Sequence, residues 1–310
     1  MLLLIALLRL DRESLIHSIR QIPLSIALLL LALQMVSQLM VTLQWHQIAK
    51  LAKSSLSFRD IFYINCQGTV VDALTPGVKV GGEVARALQI SRMGSLSGEQ
   101  AVGVVAVQKL FSVSALFFIQ LFTVGYLIGA LPVLQATHLQ LLIYAALLFS
   151  SLLFASIFFI PHHLEARLQA RAPSRFSWVR RVRGFVLTLL GQVIDLRKST
   201  KATAMLAALS VFIWLLYPVK MYILAAQISP DVNAVYVGAV AFVSYMVAML
   251  PIFPGGLGGF EGTMTGLLVA TGYLITDAAV IAILFRLITF WFVVLLSLAF
   301  IAFYKARYKN

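Results

Sequence analysis

The chain has 310 residues, 61% of them hydrophobic and 11% charged, with a mean hydropathy of +0.96. A water-soluble core cannot hide that much apolar surface, and several stretches exceed the roughly 18–20 apolar residues that cross a bilayer, so the composition predicts an all-α, polytopic membrane protein. The net charge of +13 does not point to nucleic acid, because most of it sits in one linker and at the C-terminus, where positive-inside bias and anionic lipid account for it. The lone cysteine, Cys66, excludes an intrachain disulfide, and no Cys/His spacing suggests zinc, so neither metal nor cofactor is expected.

Met1–Leu10 is too short to span and lacks a cleavage site; it reads as the tail of a first span. Asp11–Gln21 is a charged amphipathic connector. Pro23–Gln44 is the first convincing span, with Pro23 suited to a helix start and Trp45 and His46 marking its interface end. Phe58–Leu74 and Lys79–Arg92 flank a glycine loop and are predicted as two half-helices of a re-entrant hairpin. Glu99–Leu131 and His138–Ile160 are spans joined by an uncharged turn. Pro161–Lys201 carries nine Lys and Arg against Glu165 and Asp195 and is the main cytoplasmic candidate. Within it Trp178, Val182, Phe185, Leu189 and Val193 recur at helical spacing, which predicts a helix lying in the headgroup plane. Ala202–Ile228 spans next. Val232–Pro251 enters a second glycine loop, Phe260–Tyr273 leaves it, and Asp277–Tyr304 is the last span. The chain divides into a first membrane repeat with an extra span (1–160), a basic linker (161–201) and a second membrane repeat (202–310).

The second loop runs Pro254-Gly255-Gly256-Leu257-Gly258-Gly259-Phe260-Glu261-Gly262. Each glycine costs about 1 kcal/mol relative to Ala inside a helix, and bare backbone in hydrocarbon must find partners. Such a segment belongs where protein packs around it or a wet cavity touches it. The first loop, Pro76-Gly77-Val78-Lys79-Val80-Gly81-Gly82-Glu83, has the same plan. Pro254 lies 178 positions after Pro76, and Glu261 lies 178 after Glu83. On the same offset Gln108 falls on Arg286 and Asp72 falls on Leu250. Paired interrupted segments in two halves point to a transporter binding site. With the linker and C-terminus cytoplasmic, three full spans separate the copies, an odd number, so the repeat is expected to be inverted.

Glu83 and Glu261 follow the glycines directly. Each either binds protons or a cationic headgroup, or caps the exposed N–H groups of its half-helix. Lys79, Glu83 and Arg86 share one helical face, so the cations either hold a lipid phosphate, pair with Glu83, or snorkel. Arg286 lies inside the last span, where a charge is a functional-site hypothesis by default, with Glu261 or a phosphate as its partner. The loop N–H groups of Gly81, Gly82, Gly255, Gly256, Gly258 and Gly259 complete the expected headgroup site. Asp72 is a further candidate outside the shared plan, and Lys220 reads as an interface anchor. No P-loop motif accompanies the glycines.

The first loop, the second loop and Arg286 together resemble the membrane region of lysylphosphatidylglycerol synthases, which also occurs alone as flippase-like domains. The resemblance covers nearly the whole chain and departs at Gln108-Lys109, where the family tends to show Glu-Arg. It implies movement of a lipid between leaflets. The soluble domain that makes the lipid in bifunctional members is not expected in a chain that stops at Asn310.

The function expected is therefore a non-enzymatic carrier of a phosphate-bearing lipid in a bacterial cytoplasmic membrane. Its partners are the lipid itself and anionic lipids at the basic linker; an oligomer of identical chains is compatible with the sequence. Two other readings stand beside it. One is an intramembrane lipid-group transferase using Glu83 and Glu261 as acid and base. The other is an accessory subunit that recruits a partner through the linker.

Overall fold

The computed structural model describes residues 19–75, 80–130, 137–170, 176–229, 232–249 and 256–308. Among them the regular elements are helices, with no strand. The first membrane segment is α1 (Leu24–Leu51), followed by the short pair α2 (Phe58–Leu74) and α3 (Val80–Met93). Then come α4 (Gly98–Ala130), α5 (Thr137–Phe159), and the linker helices α6 (Pro161–Ala170) and α7 (Ser177–Arg197). The second half holds α8 (Thr200–Ala225), the short pair α9 (Ala234–Ala248) and α10 (Gly259–Val269), α11 (Ile275–Arg286), a π-helical turn (Leu287–Trp291) and α12 (Phe292–Tyr308).

Among the described residues four helical segments are long and apolar enough to cross a bilayer: α1, α4, α8, and the continuous run from α11 through α12. The α5–α6 pair, bent by 88°, is a fifth if counted as one span. The molecule is thus a multi-pass helical membrane protein. The two short pairs differ from these spans. Their helices have 17 and 14 residues in the first pair and 15 and 11 in the second. At 1.5 Å per residue they reach about 16–26 Å, short of the roughly 30 Å hydrocarbon core. The connections within the pairs, 76–79 and 250–255, lie outside the described residues, as does Met1–Leu10.

Local chemistry fixes where these helices begin. Ser57 and Asp60 form a capping box at the start of α2. Ser199 caps α8 through the Ala202 N–H, and Asn233 caps α9 through the Tyr236 N–H. At the far end of the chain the Tyr304 hydroxyl donates to Asp60 Oδ1 at 2.5 Å, and its ring stacks on Tyr63 with centroids 4.0 Å apart. The last helix is thereby fastened to the first short pair.

Two boundaries differ from the sequence reading. α1 runs on to Leu51, beyond the expected end at Gln44, and Trp45 is buried in the core. The linker helix α7 is only half a surface helix. Val182 and Phe185 are exposed, but Leu189, Val193 and Leu196 pack with Ala101, Val104 and Val105 of α4. The same apolar stripe that suits a headgroup plane also suits a protein neighbour, and α4 offers one.

The buried apolar side chains fall into two main cores. One joins α8 to α11 and includes Met221, Val237, Phe260 and Phe285. The other joins the end of α1 with α2, α3, α4 and α7, and includes Trp45, Ile61, Ile90 and Val104. The cavity described next is lined by residues of both halves of the chain.

Candidate polar cavity between the two short helix pairs

In the first pair, Asp72 near the end of α2 is the central acceptor. Its Oδ1 accepts the Gly82 N–H at 2.9 Å, and its Oδ2 accepts from Arg86 at 3.1 Å. A carboxylate at a helix N-terminus satisfies one of the orphan N–H groups and meets the positive end of the dipole. Two glycines make room for this arrangement. A Cβ on Gly82 would run into the Asp72 carboxylate, and one on Gly68 would lie 2.5 Å from the Arg86 guanidinium. The Arg86 guanidinium also sits 5.8 Å from the Trp45 ring centre. Glu83, one residue past the glycines, turns the other way and forms an ion pair with Lys109 of α4.

In the second pair the carboxylate is Glu261. Its Oε2 accepts the Gly258 N–H at 2.7 Å, and its Oε1 lies 3.4 Å from Arg286 Nε. Gly256 and Gly258 have φ of +71° and +84°, a left-handed conformation that favours glycine and turns the chain into α10. Arg286 lies over the Phe290 ring at 4.2 Å and the Phe260 ring at 4.9 Å. The π-helical turn begins at the next residue. Such single-turn insertions are frequent at functional sites.

Arg86 and Arg286 line one cavity of about 230 Å³. Lys109 and Asp72 line it too, with Gln34, Ser37 and Gln108 as neutral polar walls and Trp45, Trp214 and Phe290 among its aromatic ones. Three cations and one carboxylate therefore face the space, while Glu83 and Glu261 are not among its lining residues. Each cation already has an acidic neighbour. An anion entering here would share the guanidinium donors, since each Arg presents five, or draw a cation off its partner. Arg86 Nε is buried and has no hydrogen-bond partner among the described residues. Among those residues no three His, Cys, Asp or Glu side chains converge as a metal site would require.

The predicted site residues separate on this geometry. Arg86, Arg286 and Asp72 come together at the cavity. Glu261 stands behind Arg286 as the partner anticipated for it. The first cap differs from expectation: Asp72 takes the Gly82 N–H, while Glu83 pairs with Lys109 and not with Arg86. The Gly82 and Gly258 N–H groups are engaged by protein carboxylates. Gly81 packs against the Thr75 hydroxyl, and Gly259 is buried at the start of α10. Lys79 and Gly255 lie outside the described residues.

Two cations escaped the sequence reading. Lys109, at the Gln108-Lys109 departure from the family pattern, was not a candidate and yet pairs with Glu83. Lys220 is fully buried and not an interface anchor; its amine donates to Gln34 Oε1 and, at 3.0 Å, to Ser37 Oγ. A signal for this was present. Gln34, Ser37 and Gln44 lie on one face of α1, polar side chains in an apolar span. Gln44 donates to Ser210 Oγ at 2.5 Å and accepts from Gln108 at 3.1 Å.

Residues 1–297 match the family model described as the lysylphosphatidylglycerol synthase TM region. The chain belongs to that family. Archaeal relatives match most of its length. A UPF0104 membrane protein of Methanothermobacter thermautotrophicus is 22% identical over 89% of this chain and 85% of its own. Another from Methanocaldococcus jannaschii is 23% identical over 83% and 78%, and one from Pyrococcus horikoshii 25% over 88% and 85%.

Proposed function

We propose that this family member carries a phosphate-bearing lipid between the leaflets of a bacterial cytoplasmic membrane. The observation that supports this best is that Arg86 and Arg286, each from a different short helix pair, line the same cavity. Arginine suits phosphate because its planar fork donates two parallel hydrogen bonds. In this reading the headgroup sits between Arg86, Arg286 and Lys109, with its tails left in the bilayer. The two short pairs act as re-entrant hairpins of an inverted repeat, and rocking one against the other opens the cavity to each side in turn. The basic linker and C-terminus face the cytoplasm. Arg180 and Arg183 then meet anionic lipid there, at about 1 kcal/mol per basic residue. Glu83 and Glu261 regulate the cations by holding them when no lipid is bound, a carrier's role and not that of an acid and base in group transfer.

Reconstitution of the full chain with a fluorescent phospholipid in one leaflet tests the proposal. Arg286→Ala and Arg86→Ala are expected to slow flipping at least tenfold with the protein still folded. Flipping at the wild-type rate in both variants, or formation of a chemically altered lipid by the purified protein, would count against it.

A further inference from the structure

Beside the polar cavity runs a second space of a different kind. It has a volume of about 340 Å³ and is almost wholly apolar. Val80 and Val84 of α3 line it, facing Val102 and Val105 of α4, with Ile157 of α5 and Phe185 of α7 closing its sides. Val80, Val84 and Phe185 are exposed, so the groove opens at the surface of the helix bundle. The polar side chains on its wall are Glu83 and Lys109, which form an ion pair with each other. Lys109 lines the polar cavity as well. The apolar groove and the charged chamber thus share one residue, and that residue is a cation.

We infer that this groove seats one acyl chain of the lipid whose phosphate enters the cavity, with Lys109 as the hinge between tail and headgroup. The inference rests on the carrier reading above. Its physical basis is the match between an amphiphile and two adjoining spaces of opposite character. An acyl chain removes the exposed valines and Phe185 from competition with bulk lipid only if its headgroup is held, and the cations at the inner end supply that hold. Lys109 lies eleven residues past Gly98, the start of α4, and so inside the long apolar helix and not at its end. The groove's wall on α4 runs from Val102 to Leu110, eight residues or about 12 Å at 1.5 Å per residue, enough to run alongside part of a lipid tail. The Glu83–Lys109 pair is the barrier: as a phosphate arrives, Lys109 exchanges the Glu83 carboxylate for the phosphate and stays neutralised throughout.

The test uses the full chain in phosphatidylcholine vesicles doped with phosphatidylglycerol bearing a diazirine in one acyl chain. After irradiation, the label is expected to concentrate on 80–87, 102–110 and Phe185. Val84→Trp, which fills the groove from an exposed position, should lower that labelling at least fivefold; Val102→Phe fills it from the opposite wall and guards against a folding defect in either. Lys109→Met should reduce labelling to the level of a diacylglycerol probe with the same tail. Label spread evenly over lipid-facing helices, and indifferent to Val84→Trp and Val102→Phe, would overturn the groove. The same vesicles report flipping. Wild-type protein that flips lipid without labelling the groove overturns this inference alone, whereas a labelled groove without flipping overturns the carrier reading and leaves the groove as a lipid site.

Discussion

In the second helix pair the carboxylate, Glu261, belongs to the short helix it caps, and its cation comes from the following helix. In the first pair the capping carboxylate, Asp72, comes from the opposite arm, and its cation, Arg86, rises from the capped helix itself. The outcome is the same in both: a carboxylate binds one glycine N–H and one arginine, and the arginine lines the shared cavity. Yet a second likeness runs beneath the difference. Glu83 reaches Lys109 twenty-six positions on, and Glu261 reaches Arg286 twenty-five positions on. Both pairs therefore send a glutamate that follows the glycines to a cation inside the next long helix. The first pair has added Asp72 and Arg86 to that common scheme. It has also left the common ion pair more open, with Lys109 and Glu83 side chains 35% and 22% exposed against 8% and 4% for Arg286 and Glu261. The more buried pair reads as the fixed wall of the cavity, and the more exposed one as the part free to exchange partners.

The largest effect should come from the more buried pair. Glu261→Gln leaves the Arg286 charge buried without its carboxylate, and breaking a buried pair from one side costs about 3–5 kcal/mol. Adding Arg286→Met to Glu261→Gln should regain most of that stability, because both charges then leave together. Thermal unfolding in detergent of the two single variants and the double one closes the cycle. A cost below 1 kcal/mol for Glu261→Gln would break the contrast drawn between the pairs.

Asp72→Ala should cost less, about 2 kcal/mol, the usual scale for losing hydrogen bonds to a charged group. It is expected to free Arg86 while leaving the Glu83–Lys109 pair in place. If Glu83 can swing to Arg86 in its absence, it leaves Lys109 to compensate the stranded guanidinium, and the cost will fall further. Comparing Asp72→Ala with Asp72→Ala/Glu83→Gln by the same unfolding measurement distinguishes these outcomes: additive losses mean that no such swing occurs.

How far the sequence reached can be judged on these same residues. The helices, the two glycine segments and Arg286 with Glu261 were legible because each breaks a rule locally. Glycines do not sit in lipid-facing helices without reason, and a charge inside a span demands a partner. Asp72 was visible as a candidate, but its role depends on the fold of α3 back onto α2, which no spacing within one helix reveals. Lys109 was obscured by register. The repeat offset aligned Gln108 with Arg286, one position away from the cation that does the equivalent work. Trp45 and Lys220 were misplaced for another reason. Aromatic and basic residues near the end of an apolar run normally mark the interface, and only neighbours from distant helices decide whether they turn inward instead.

Lys220 provides the smallest expected effect and the sharpest contrast with the arginines. Its amine meets Gln34, Ser37 and the Tyr217 ring, whose centre lies 4.8 Å away, so its contacts among the described residues are neutral. Arg86 and Arg286, by contrast, each rest on a carboxylate. Removing a cation that leaves a carboxylate behind strands a charge; removing one held by an amide and a hydroxyl strands only groups that can turn to each other or to water. Lys220→Met keeps most of the volume and should change stability by less than about 1 kcal/mol, or raise it, as replacement of buried charge by a matched apolar side chain often does. If transport falls while the melting temperature holds, then the charge was kept for the cavity and not for the fold. A loss of 3 kcal/mol or more would instead mean that Lys220 is held by a carboxylate after all, and the division between paired arginines and a neutrally housed lysine would fail.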